Sequence, residues 1–173
     1  MEESKAIIEA LIFSSDVPLS ASRITEIIPD MKVADINQMV KELMNEYEER
    51  AGGLFIREIA GGFQFRTGTT MGTWVHKLRK ERPSVLTPAA METLAVIAYR
   101  QPVVKSEIDK IRGVDVSGPL RGLLEKKLIR IMGRKDVPGK PIIYGTTKQF
   151  LEVFNLKDLS ELPTLREFKD LHA

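Results

Sequence analysis

The same succession of segments runs twice along this chain, and that repeat restricts the fold more than any other feature of the sequence. Adding 84 to a first-half position maps Pro18 onto Pro102, Ile24 onto Ile108, Ile27 onto Ile111, Ile36 onto Leu120, Val40 onto Leu124 and Met44 onto Leu128. Positions that keep proline or apolar character in one register describe a supersecondary unit used twice, the alternative being a shared helical order whose register agrees by accident. The 173 residues then divide into two domains of roughly 80, each near the lower limit for an independent hydrophobic core.

In the first half, Ile7, Ala10, Leu11 and Ser14 recur at helical spacing until Asp16-Val17-Pro18 breaks the pattern. Ser20 offers an N-cap for a short second helix carrying Ile24, Ile27 and Ile28, which Pro29-Asp30 ends. A third helix over 33–50 places Ile36, Met39, Val40, Leu43, Met44 and Tyr47 on one stripe, and Gly52-Gly53 stops it. Segments 54–59 and 63–67 alternate around Ala60-Gly61-Gly62 and predict a hairpin. A fourth helix over 70–80 carries Met71, Trp74, Val75 and Leu78 before a basic stretch and Pro83.

The second half follows the same order. Thr87-Pro88 opens a helix that runs to about Tyr99, ahead of Gln101-Pro102. Residues 105–111 form the next helix, stopped by Gly113, and Ser117-Gly118-Pro119 opens a third carrying Leu120, Leu123, Leu124 and Leu128. Segments 129–132 and 141–144 pair as a second hairpin, and a last helix spans 149–154. Helix, helix, helix, hairpin is the order of the winged-helix variant of helix-turn-helix, the hairpin being the wing. The expected fold is therefore mainly α with small β-hairpins (α+β), as two tandem winged-helix domains. The first spans 1–82, the second 83–155, and 156–173 is a flexible acidic tail. The boundary falls at 81–86, where Pro83-Ser84 separates a charged helix end from a new cap.

The chemistry open to such a chain is thin. It has no cysteine and two histidines, which excludes disulfides, thiolate metal sites and histidine-rich metal centres. His76 and His172 have no nucleophile or carboxylate near them in sequence in a recognisable catalytic arrangement. Ser14-Ser15 and Ser117-Gly118-Pro119 lack the flanks of a nucleophile elbow. The stretch from Gly133 to Pro141 has five residues between its glycines and a proline where a magnesium-binding hydroxyl would stand, so it is a wing turn set by Pro138-Gly139 and not a phosphate loop. No enzyme activity, cofactor or metal is expected. Hydrophobic residues make up 43% and charged residues 29%, and no apolar run approaches the ~20 residues of a membrane span. With an acidic start, Met1-Glu2-Glu3, where a secretory signal is basic, the expectation is a cytoplasmic protein.

Charge argues against the usual winged-helix role. Residues 1–82 hold 11 Lys+Arg against 13 Asp+Glu, whereas residues 83–173 hold 15 against 11. Within the first half, the third helix sets Asp35, Glu42, Glu46, Glu48 and Glu49 against Lys41 and Arg50. Phosphates repel it, since duplex binding rests on Lys and Arg neutralising backbone charge. In the second domain Arg121, Lys126, Lys127, Arg130, Arg134, Lys135 and Lys140 outnumber Glu125 and Asp136, and could grip phosphates, an acidic protein segment or only water. Apolar side chains are in surplus: Ile8, Leu11 and Ile12 on the first helix and Met71, Trp74 and Leu78 on the fourth are either core or the face of a symmetric dimer.

The run from Glu92 through Arg100-Gln101-Pro102, then Glu107 to Gly113, Leu128 to Gly139, and Pro141-Ile142-Ile143-Tyr144-Gly145-Thr146-Thr147 closely resembles the bacterial segregation and condensation protein B (ScpB) family. The likeness covers essentially the whole second domain. The first domain agrees more loosely, through Glu9 to Phe13 and the hairpin from Gly53 to Gly62. The resemblance implies a non-enzymatic subunit of the bacterial condensin-like complex, beside an SMC ATPase and the kleisin ScpA, acting in chromosome condensation and segregation at the nucleoid. It implies dimerisation chiefly through the N-terminal domain and a kleisin-contacting surface including Tyr99, Arg100, Gln101, Arg134, Lys135 and Asp136. DNA would then be touched only indirectly or weakly. The rival is a tandem winged-helix DNA-binding regulator that uses the basic second domain.

Overall fold

The computed structural model describes residues 2–79 and 85–164. The chain forms two compact units, Met1–Arg82 with Asn155–Ala173, and Pro83–Phe154. Among the described residues these hold helices and two small antiparallel sheets, an α+β arrangement.

Unit 1 begins with helices α1 (Glu2–Ser14), α2 (Ala21–Ile27) and α3 (Val33–Glu49), then strands β1 (Leu54–Ile59) and β2 (Gly62–Thr67). A 3-10 turn, Thr69–Met71, leads into helix α4 (Gly72–Arg79). Ser20 caps α2 as expected, its Oγ accepting from Arg23 N at 3.2 Å. Ile8 and Ile12 of α1, Ile24 of α2, Ile36, Val40 and Leu43 of α3, and Ile56 and Phe63 of the hairpin form one buried cluster. Spacings of three and four residues put those α1 and α3 side chains on single faces, and the apolar surface they remove from water holds the unit together. Outside the core, Tyr47 donates to Glu9 Oε1, and its ring meets Phe65 edge-on at 5.0 Å.

Unit 2 runs α5 (Pro88–Arg100), β3 (Val103–Val104), α6 (Lys105–Arg112), α7 (Ser117–Glu125), β4 (Ile129–Arg134), β5 (Ile142–Thr146) and α8 (Lys148–Phe154). Thr87 caps α5 through Ala90 N at 3.2 Å, with Pro88 in the first turn. Gly113 ends α6 in the left-handed region, φ 72°. Its buried set includes Leu94, Ile97, Ile108, Val116, Leu120, Leu123, Tyr144 and Phe150.

The repeat is visible in three dimensions, and in more detail than its pattern predicts. Ile24 and Ile108 are both fully buried, while Ile27 and Ile111 are exposed to nearly the same degree, 48% and 52%. The sheet of unit 2 has order β3-β5-β4, with Val103 opposite Tyr144. Its counterpart in unit 1 is a single bridge between Leu19 and Phe63, closed by two hydrogen bonds of 2.9 Å, and Leu19 lies 84 positions before Val103. Two residues are too few for an alternation to show, so this third strand is absent from the sequence reading.

Two expectations are corrected. Leu128 does not continue the third helix of unit 2: α7 ends at Glu125, Lys127 takes a positive φ of 54°, and Leu128 is buried at the entry to β4. The tail expected to be flexible over 156–173 is fastened to unit 1 in its described part. Ala60 N donates to Leu156 O at 2.9 Å and Lys157 Nζ lies 3.0 Å from Glu58. Asp158 caps a 3-10 turn, Leu159–Glu161, accepting from Ser160 N at 2.7 Å, and Glu161 accepts from Lys157 N at 2.7 Å. Ala60 and Glu58 are about a hundred residues from their partners in sequence, beyond the reach of local composition. Residues 165–173, with His172, and the expected boundary at Pro83-Ser84 lie outside the described residues.

Candidate protein-interaction surfaces

The first candidate surface is α4. Gly68 N donates to Gly53 O at 3.0 Å, closing the open end of the hairpin, and a Cβ on Gly68 would lie 3.0 Å from the Phe55 ring. The 3-10 turn then delivers a helix of eight residues. Met71 at the end of the turn and Trp74 and Leu78 of the helix are spaced as one stripe, and they are 40%, 67% and 83% exposed. The apolar face of an amphipathic helix is ordinarily the one it packs against a neighbour. In α4 that face is turned to solvent.

The other three expected dimer residues lie elsewhere. Ile8 and Ile12 are core, at 0% and 1% exposure, and have no surface to offer a partner. Leu11 is half-buried and packs against the same cluster. Helical periodicity alone cannot separate core from interface, because both select apolar residues on one face. Phe13, 69% exposed and edge-on to Phe65 at 5.8 Å, and Ile7, 43% exposed, are the outward large apolar side chains of α1.

The second candidate surface is on unit 2, and its six expected residues divide by role. Tyr99 is 48% exposed and continues a stripe with exposed Met91 and Ala95 along α5, at four-residue spacing. Arg100 is exposed at the helix end. Gln101, by contrast, is committed within the unit: its Oε1 accepts from Thr146 N at 2.8 Å, and its Nε2 donates to Thr146 Oγ1 at 2.9 Å and Ala98 O at 3.3 Å. It pins the end of α5 to β5. In the β4–β5 hairpin, Arg134 Nη1 donates to Lys140 O at 3.0 Å and Lys135 Nζ reaches Glu107 at 3.2 Å, so both have structural duties, while Asp136 is exposed at the turn. That contact holds the Glu107 carboxyl below its usual range.

Met132, exposed on this surface, is not among the residues expected there, and it rests on the buried Gly145. β4 has an irregularity between Ile131 and Gly133, which throws out Met132. Its sulfur and Gln101 Oε1 lie over Gly145, where a Cβ would strike both. Met132 and Ile131 remain 48% and 54% exposed. At the base of α7, Lys105 Nζ bonds Asp109 at 2.8 Å and also Asp115, which accepts from Ser117 N at 3.2 Å. The Lys105 and Ser117 bonds hold the Asp115 carboxyl below its ordinary range.

For nucleic acid the geometry is poor. Asp35, Glu42, Glu46, Glu48 and Glu49 are all exposed on α3. On α7, Arg121 pairs with Glu125 at 3.0 Å. A hollow of about 700 Å³ on unit 1 is lined by Arg57 and Arg66 together with Glu48, Glu58 and Glu161, and the Arg57–Glu48 pair at 3.3 Å spans part of its wall. Among the described residues, no three His, Cys, Asp or Glu gather as metal ligands, and no helix is long and apolar enough to cross a membrane.

The family model described as "Segregation and condensation complex subunit ScpB" matches residues 6–165. A protein named segregation and condensation protein B from Syntrophotalea carbinolica is 46% identical over 169 residues, covering 98% of this chain and 85% of its own. The crystal structure of ScpB from Mycobacterium tuberculosis is 32% identical, with 90% of this chain and 96% of that one covered, at a TM-score of 0.42. A crystallised dimer of the ScpB N-terminal domain with a ScpA peptide is 26% identical over 49% of this chain and 94% of that one, at a TM-score of 0.40.

Proposed function

Because the chain belongs to the segregation and condensation protein B family, we propose that it is a non-enzymatic subunit of the bacterial SMC–kleisin complex. It is built as two winged helices, dimerises through residues 1 to about 82, and holds the kleisin ScpA with a surface that includes unit 2. The SMC ATPase is reached through the kleisin and supplies the nucleotide hydrolysis. The protein acts in the cytoplasm, at the nucleoid, and needs no cofactor of its own.

The observation that carries this reading is the solvent-facing stripe of α4, with Trp74 67% and Leu78 83% exposed. A helix that presents an indole and a leucine to water on one face offers an apolar patch of the kind that marks an interaction site. On unit 2, Met91, Tyr99, Ile131 and Met132 are apolar and exposed, beside the basic Arg100, Arg130 and Arg134. That mixture suits a protein segment with apolar and acidic residues better than a phosphate backbone, for which cations alone suffice.

Titrating the full-length protein with the middle segment of the kleisin, and separately with duplex DNA at two salt concentrations, tests it. Saturable kleisin binding with weak duplex binding is expected. Tight duplex binding with a steep salt slope and no kleisin binding identifies a DNA-binding regulator instead.

A further inference from the structure

Lys77 lies along the exposed stripe of α4, its Nζ 4.9 Å from the centroid of the Trp74 ring. A partner that takes the indole therefore takes an ammonium group with it, and needs an apolar floor under an acidic rim. Unit 1 contains such a place. Between α1 and α3 lies a hollow of about 410 Å³ lined by Glu2, Lys5, Asp35, Gln38, Met39 and Glu42. That volume falls within the roughly 300–1,000 Å³ of cavities that enclose bulky groups. Met39, partly buried against the core, supplies apolar surface. Lys5, a cation of the lining, is engaged by Glu46 and lies 3.8 Å from Glu42. This hollow sets Glu2, Asp35 and Glu42 against the single cation Lys5, whereas a second hollow of unit 1 sets Glu48, Glu58 and Glu161 against Arg57 and Arg66, and a third has Arg50 with no acidic residue among the described residues.

In its own chain α4 packs chiefly on the 3-10 turn before it. We infer that α4 of each protomer docks in the α1–α3 hollow of the other, with Met71, Trp74 and Leu78 inward and Lys77 against Asp35 and Glu42. The inference rests on the dimer proposed above and names the contact that makes it. Each copy gives a helix and receives one, so the contact occurs twice and closes with two-fold symmetry. The acidic face of α3, unsuited to phosphate, is then the receptor for a basic helix.

Sedimentation equilibrium of the full chain at two salt concentrations tests the exchange, using wild type, Lys77→Glu, Glu42→Lys and an equimolar mixture of the two variants. Each variant alone opposes like charges at both contacts and is expected to self-associate about tenfold more weakly. The mixture opposes unlike charges at both contacts and is expected to recover wild-type association, which a misfolded variant could not do. Added salt is expected to weaken the wild-type dimer. Undiminished association of either variant, or a mixture no stronger than its components, overturns the exchange and leaves the dimer standing. A wild type that is monomeric at micromolar concentration overturns the dimer as well.

Discussion

Two glycines bear on the fold through what surrounds them. A Cβ at Gly62 would lie 2.8 Å from the Pro18 carbonyl carbon and 2.9 Å from that of Leu19, so backbone would have to move and the Leu19–Phe63 bridge would open. Gly62→Ala is expected to destabilise unit 1 by about 1–3 kcal/mol in urea unfolding. At Gly145 the obstacles are the Met132 sulfur and Gln101 Oε1, the latter at 2.9 Å. Gly145→Ala must displace both, and Gln101→Ala leaves Thr146 N without that acceptor. That second variant is expected to cost about 1–2 kcal/mol of stability, read by thermal denaturation, while leaving the exposed surface of unit 2 in place. At this scale the sequence is informative about type and not about destination. Ile8 and Trp74 both read as apolar helix positions, yet one is wholly buried and the other mostly in solvent. Likewise the Arg100-Gln101-Pro102 run resembles its family as a unit, although its glutamine faces inward to Thr146.

The caps and stops of the helices were legible because they are local: Ser20, Thr87 and Gly113 each bond or turn within four residues of the helix end they mark. What stayed hidden was non-local. The β3 strand is two residues long, and the segment after Phe154 finds its partners at Ala60 and Glu58. Ile59, on the hairpin face opposite Ile56, is fully buried at the end where that segment arrives. Removing residues 155–173 is therefore expected to lower the unfolding temperature of unit 1 and raise amide exchange at Ala60. The start of α7 carries a pH dependence. Lys105 and Ser117 hold Asp115 below its ordinary value of 3.8, so its contribution is present above that pH and is lost as pH falls through the lowered folded value. Acid titration followed by circular dichroism is expected to be shallower in Asp115→Asn than in wild type. Equal slopes would show that the Lys105–Asp115 pair adds nothing measurable, as exposed pairs often do.

For the molecule as a whole, duplication of one small unit was plain from a register of 84, and the structure returns it down to a matched pair of exposed isoleucines, Ile27 and Ile111. The register does not run through the first helices. Residues 15–20 separate α1 from α2, while only residues 101–104 separate α5 from α6, so the buried positions of α1 and α5 are displaced by two from the common offset. Family membership was legible in the second half, where the motif is dense, and rests now on a match over residues 6–165. Which apolar residues would serve the proposed dimer was not legible, since that depends on which helix the fold leaves exposed. Small units of this kind gain stability by associating. In the proposed dimer, α4 is the helix through which they do so. Light scattering of the full chain at micromolar concentration, beside a Trp74→Ser, Leu78→Ser variant with an unchanged circular dichroism spectrum, tests this most directly. Twice the chain mass for wild type and a single chain mass for the variant are expected; a monomeric wild type, or a variant that stays dimeric, contradicts it.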